Sequence, residues 1–218
     1  MLSLIIFVTI FIYFSNWKRF KFLPKVLLNP KRNLKQYHNN KLVDNLSKKL
    51  GVKFEIKVQK SQIINGYMPG IPKKPVMILT QGAIDKLTPQ ELEWMILHEA
   101  GHCLKWHTLK NTIAWMIFLL LGVALILNLM LSPFQTIIMA LLLSLLWIQF
   151  ERRSEVEADR YSLDKGADPK AMISFFEKMN NEHPNIIYRN EWLGFFLSPH
   201  PNYKKRIAMA QAKLLLIN

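Results

Sequence analysis

Asn111 to Phe150 read NTIAWMIFLLLGVALILNLMLSPFQTIIMALLLSLLWIQF, without one Asp, Glu, Lys, Arg or His, and the run is bounded sharply by Lys110 and Glu151. A helix needs about 20 apolar residues to cross a hydrocarbon core of about 30 Å, so this run holds two crossings. Ser132-Pro133, near its middle, supplies the break. The stretch therefore predicts a tight transmembrane hairpin that returns Glu151 to the side on which Lys110 lies. The alternative, a core hairpin of a soluble protein, needs a larger apolar shell than the rest of a 218-residue chain can provide.

Upstream, Met1 to Trp17 carries no charged side chain and is followed by Lys18, Arg19, Lys21 and Lys25. A secretory signal starts basic and ends in small residues at a cleavage site, whereas this segment ends Tyr13-Phe14-Ser15-Asn16-Trp17. An uncleaved anchor over residues 1–17 is expected. The basic cluster from Lys18 to Lys35 then marks the cytoplasmic side by the positive-inside rule. Two further crossings bring residues 151–218 back to the cytoplasm, which predicts an integral protein of a bacterial-type plasma membrane with its soluble parts inside.

Lys and Arg number 29 against 15 Asp and Glu, a net charge of +14. Orientation and attraction to anionic lipid account for much of that excess, and no nucleic-acid-binding module is recognisable, so membrane lipid is an expected partner and nucleic acid is not. The single cysteine, Cys103, excludes a disulfide framework and any zinc site built from several thiolates. It is read as a packing residue.

In the segment 18–110, Leu34, Leu42, Val43, Leu46 and Leu50 recur at helical spacing before Gly51, predicting an amphipathic helix over 34–50. Residues 53–60 alternate polar and apolar as a half-exposed strand does, with 61–68 and 76–80 as its neighbours in a small three-stranded sheet. Thr88-Pro89-Gln90-Glu91 is a capping box with proline in the first turn, so a helix begins at Pro89 and can run straight into the first crossing. Past the hairpin, helices are expected over 151–165, 169–181 and 202–216. The fold class is α+β and mainly α, one domain in two parts (18–110 and 151–218) interrupted by the hairpin at 111–150.

The capped helix contains His98-Glu99-Ala100-Gly101-His102. Residues four apart share a helix face, so both imidazoles can reach one zinc ion while Glu99 can touch a water held there and act as its general base. A catalytic zinc takes a third protein ligand. His107 is five residues from His102 and nine from His98, which turns it off their face. Glu151, Glu155 and Asp159 share a face of the next helix, and spacing alone does not separate Glu151 from Glu155. A hairpin puts these carboxylates on the same side as His98; a single crossing could not. The ion is then expected on the order of 10 Å from the cytoplasmic surface.

These residues resemble the HtpX-like and CAAX prenyl endopeptidase family of membrane zinc metallopeptidases, of the gluzincin type. The likeness rests on His98-Glu99-Ala100-Gly101-His102, Arg152-Arg153-Ser154-Glu155-Val156-Glu157-Ala158-Asp159, Ser198-Pro199-His200-Pro201 and Arg206-Ile207, with Ile64 to Tyr67 and Val76 to Gly82 in support. It implies one zinc per chain with Glu155 as third ligand, Asp159 as its outer partner on the next turn, and His200 and Arg206 lining the site. His200 is then a candidate oxyanion donor, or else a cap of the following helix. Arg206 would pair with Asp159 or Glu157. Asn65, Gly66 and Tyr67 could offer a sheet edge to an extended substrate, though Asn65-Gly66 also reads as a plain turn.

The leading function is a membrane zinc endopeptidase acting on membrane or misfolded proteins at the cytoplasmic face. The competing readings are a CAAX-type processing protease and a catalytically silent zinc-binding membrane regulator. Glu99 weighs against the last, because a structural zinc has no need of a carboxylate there. Nothing in the sequence indicates oligomeric state.

Overall fold

The computed structural model describes residues 1–14, 34–69, 72, 75–182 and 191–217. The basic cluster that sets the expected orientation lies almost wholly outside them.

The uncharged run forms two antiparallel helices, α5 (His107–Leu129) and α6 (Pro133–Asp164). The turn falls at the expected break, Ser132-Pro133. Ser132 caps α6 by accepting from the Gln135 amide, Gln135 returns a bond to the Ser132 amide, and Pro133 occupies the first turn, where its missing N–H costs nothing. Both helices are long and apolar enough to cross a membrane, and most of their apolar surface faces outward: Ile117, Leu120, Leu127, Phe134 and Leu142 are all exposed. A soluble core helix would bury that surface.

The first helix, α1 (Leu2–Phe14), packs along this hairpin. Ser3 donates to the Leu131 carbonyl at the hairpin tip, Phe7 lies against Gly122, and Phe11 stacks on Trp115, so α1 runs from the tip towards the base. Gly122 matters here because a Cβ at that position would fall 1.9 Å from the Phe7 ring. A second apolar cluster of Phe7, Phe11, Trp115, Ile126, Leu143 and Trp147 results.

Among the described residues the sheet has four strands, not three: β1 (Leu34–Gln36), β2 (Glu55–Gln59), β3 (Gly66–Tyr67) and β4 (Val76–Thr80), in the order β1-β2-β4-β3. Leu34 therefore belongs to a strand that pairs antiparallel with β2, and the helix foreseen from 34 starts only at Asn40. The reason is local: the Asn39 side chain accepts from the Leu42 amide and caps α2 (Asn40–Leu50), which Gly51 ends in a left-handed conformation. The period-two reading of β2 holds, with Ile56 and Val58 buried. Its neighbour, however, is the parallel strand β4, and β3 lies beyond β4. Ser61 to Asn65 crosses the end of β4, held by Thr80, whose hydroxyl donates towards the Ile63 and Asn65 carbonyls and accepts from the Asn65 amide. Gly82, in the short helix α3 (Gln81–Lys86), permits this crossing, since a Cβ there would meet the Gln62 carbonyl at 2.3 Å.

Helix α4 (Pro89–Leu104) begins on the foreseen capping box. Glu91 does more than cap: its buried carboxylate also accepts from Ser174 and Lys178 of α7 (Pro169–Glu182), tying that helix to the start of α4. Two further helices, α8 (Glu191–Leu197) and α9 (Tyr203–Leu215), close the domain. The main core gathers Trp94, Met95, Leu97, Met77, Leu79, Met172 and Phe176 between sheet and helices.

Contrary to expectation, α4 does not continue into the hairpin. It stops at Leu104, and Trp106 adopts φ 59° before α5 begins at His107. A left-handed tryptophan costs on the order of 1 kcal/mol. What it brings about is seen at the metal centre.

Candidate metal centre

His98 and His102 lie one turn apart on α4, and their Nε2 atoms converge to 3.2 Å. Glu155 reaches the same point from α6, with carboxylate oxygens 3.7 Å from His98 Nε2 and 3.5 Å from His102 Nε2. The two helices can come this close because Gly101 faces Ala158: a Cβ on Gly101 would sit 3.2 Å from the Ala158 Cα and from the Tyr161 ring. All three donor atoms lie within 4.8 Å of one another. Nitrogens bound at 2.0–2.1 Å to a tetrahedral ion are about 3.3 Å apart, so the spacing and the two-imidazole, one-carboxylate donor set both fit zinc. Of the two carboxylates that spacing left open, Glu155 is grouped with the histidines and Glu151, one turn nearer the hairpin, is outside the group.

Around these donors stands a buried ionic network. His98 Nδ1 lies 2.9 Å from Asp159, and Arg206 grips the Asp159 carboxylate through Nε and Nη2. Of the two partners foreseen for Arg206, Asp159 is the one it meets. The guanidinium also lies over the Phe176 ring at 4.3 Å, and Trp94 stacks on the His98 imidazole. Burial would drive the His98 proton off, but Asp159 and then Glu155 outweigh it, and the pKa is pushed up to about 9. Burial likewise works against ionised Glu155, yet the charges of His200 and His102 hold its carboxyl well below the usual range. Asp159 is also depressed: Arg206 and His98 overcome its desolvation.

His200 places Nδ1 2.8 Å from Glu155. It does not cap the next helix, for Asn202 does that, accepting from the Lys204 amide. Ser198 positions it, its hydroxyl accepting from the His200 amide and donating to the His200 carbonyl. Arg152 secures the segment before it by donating to the carbonyls of Gly194, Phe195 and Ser198 at the end of α8. Glu99 is partly buried, next to His98 on α4. Gly66 and Tyr67 form β3, the last strand of the sheet among the described residues, with Asn65 just before it, and β3 packs on α4 through Gly66 and Met95.

His107, expected off the ligand face, lies beside it. The left-handed turn at Trp106 swings its ring under His102, Nδ1 to Nδ1 at 3.0 Å, with Nε2 3.1 Å from Glu157. It is 2% exposed. Burial lowers its pKa, and Glu157 opposes that only in part. His107 stays outside the group of possible ligands, as its spacing predicts, but no pattern in the sequence marks a tryptophan for the left-handed turn that brings it against His102.

Residues 33–214 match the model of peptidase family M48. The chain belongs to that family. This agrees with the resemblance to HtpX-like and CAAX prenyl endopeptidases, and the metal of M48 peptidases, zinc, is the one the donor set fits. The fold is similar to the crystal structure of Ste24p from S. mikatae, with a TM-score of 0.64 over 94% of this chain at 16% identity. The chain spans 61% of the length of that M48 structure. No curated protein sequence matches.

Proposed function

We propose that the chain is an integral membrane zinc endopeptidase that hydrolyses peptide bonds of membrane or misfolded proteins at the cytoplasmic face. The observation that carries this reading is that α6 is one continuous helix: its first part is the second leg of the apolar hairpin, and Glu155 stands five residues past the end of the uncharged run. The site is thereby tethered at the foot of the hairpin, within reach of substrates that emerge from a bilayer. The exposed Trp192, Phe195 and Phe196 lie on α8, whose Gly194 and Phe195 carbonyls accept from Arg152 and Gln149 of α6, and they suit an interface with lipid headgroups.

Zinc, when bound by His98, His102 and Glu155, supplies a Lewis acid that activates water and polarises the scissile carbonyl. Glu99 takes a proton from the attacking water and returns it to the leaving amine. Asp159 fixes His98 through Nδ1, and Arg206 keeps Asp159 ionised and in place. His200 turns Nδ1 to Glu155, so an oxyanion contact from this ring would be made by Nε2. The outer side of β3, the last strand of the sheet among the described residues, with Asn65 just before it, would take the substrate backbone as an added strand.

CAAX-type processing would use the same machinery on a different substrate. A silent zinc-binding regulator would not need Glu99. The test is zinc content and casein cleavage of detergent-purified protein beside Glu99→Gln. About one zinc per chain in both, with cleavage in the wild type alone, is the expected result; zinc in both and cleavage in neither would favour the silent regulator.

A further inference from the structure

The ring of His102 is used on both edges. Nε2 points into the donor cluster, 3.2 Å from His98 Nε2, and Nδ1 points away from it to His107. His107 in turn uses its second nitrogen on Glu157, which is half exposed at the surface. Three side chains thus form a line from the metal centre to solvent, and only one assignment of protons satisfies every link. If His102 gives its Nε2 lone pair to a metal, its proton must be on Nδ1. His107 Nδ1 must then accept, which leaves the His107 proton on Nε2, where the Glu157 carboxylate accepts it. The opposite assignment sets two N–H groups, or two lone pairs, against each other at 3.0 Å.

We propose that His107 and Glu157 are positioning residues for the metal: through the line Glu157, His107, His102 they fix the tautomer and the ring plane of the second zinc-binding histidine. On α4 each histidine ligand then has its own outer anchor. His98 has Asp159, braced by Arg206; His102 has His107, braced by Glu157. The first anchor, Asp159, stands on α6, with its brace Arg206 on α9. The second depends on the turn at Trp106, which accounts for a strained backbone and a fully buried polar ring at a place where a straight helix would have been simpler. The inference rests on zinc at this site and is independent of which substrate is cleaved.

The experiment is zinc affinity, by chelator competition, of full-length detergent-solubilised protein, with the absorption spectrum of the cobalt-substituted form as a second readout. His107→Phe keeps an aromatic ring and loses both nitrogens; zinc should bind about 10- to 100-fold more weakly and the cobalt bands should shift. His107→Asn, whose side-chain oxygen can accept where Nδ1 did, should recover most of the loss. Glu157→Ala, at a half-exposed position that does not endanger folding, should weaken zinc by about threefold to tenfold. Wild-type affinity in Glu157→Ala and His107→Phe would overturn the proposal. So would equal losses in His107→Phe and His107→Asn with Glu157→Ala unaffected, since packing would then be the cause. If His107→Phe does not fold, Glu157→Ala and the cobalt spectrum of His107→Asn decide. A wild type that holds no zinc overturns the metal site and this inference with it, whereas zinc-replete wild type with unaffected variants overturns this inference alone.

Discussion

Asp159 and His98 carry the sharpest expectations at the scale of single residues. Asp159→Asn keeps the shape but removes the charge that holds the His98 ring, and zinc affinity should fall about 10- to 100-fold, measured by chelator competition. Arg206→Met should be worse for the fold than for the metal. It leaves the Asp159 charge fully buried without its partner, a loss of about 3–5 kcal/mol in chemical denaturation. The His98 pKa near 9 in the metal-free protein also sets a pH dependence. Because the folded value lies above the unfolded value of about 6.5, its stabilising contribution is complete below about pH 6.5 and is lost as pH rises towards 9. Melting of the metal-free protein should therefore show a decline on the order of 3 kcal/mol across that window. Zinc must displace the same proton, so its affinity should rise over the same window by about tenfold per pH unit.

Two contacts decide how the elements assemble. Gly101 is where α4 and α6 cross, and a β-branched side chain there would push the helices apart. Gly101→Val should destabilise by about 1–3 kcal/mol and separate Glu155 from the histidines, so that zinc is lost even in protein that remains folded by circular dichroism. Glu91 is the other. Burial works against its charge, but hydrogen bonds from Lys178, Ser174 and the Thr88 amide outweigh that and lower its pKa. Its contribution is thus present above the ordinary carboxylate range and fades as acid titrates it. Glu91→Gln should cost about 1–3 kcal/mol through the start of α4 and the docking of α7, with zinc stoichiometry unchanged.

For the whole molecule the testable claim is orientation. Met130 is exposed at the hairpin tip, while Lys170 is exposed on α7, in the domain at the other end of α6. The native Cys103 is buried and its thiol pushed up to about 11 by that burial, so it contributes little background to thiol labelling. An impermeant maleimide applied to intact cells should label Met130→Cys and spare Lys170→Cys until the membrane is opened. The reverse pattern would place the metal centre outside.

The local chemistry was legible in the residues because it obeys short-range rules. The capping box at Thr88, the break at Ser132-Pro133, the i, i+4 pair His98 and His102, and the charge-free run are each set by neighbours within about one or two helical turns. That part of the fold, and the histidine pair of the group that could hold a metal, needed no coordinates, and the family resemblance implied Glu155. Tertiary packing decided the rest. Among the described residues it set Glu155, and not Glu151, opposite the histidines, where α4 and α6 cross at Gly101 and Ala158. It paired β2 with β4 and put β3 beyond, through the hydroxyl of Thr80 and the open Cα of Gly82. And it turned the chain at Trp106, a conformation that no tryptophan prefers by itself and that contacts distant in sequence, such as that of His107 with Glu157, can sustain.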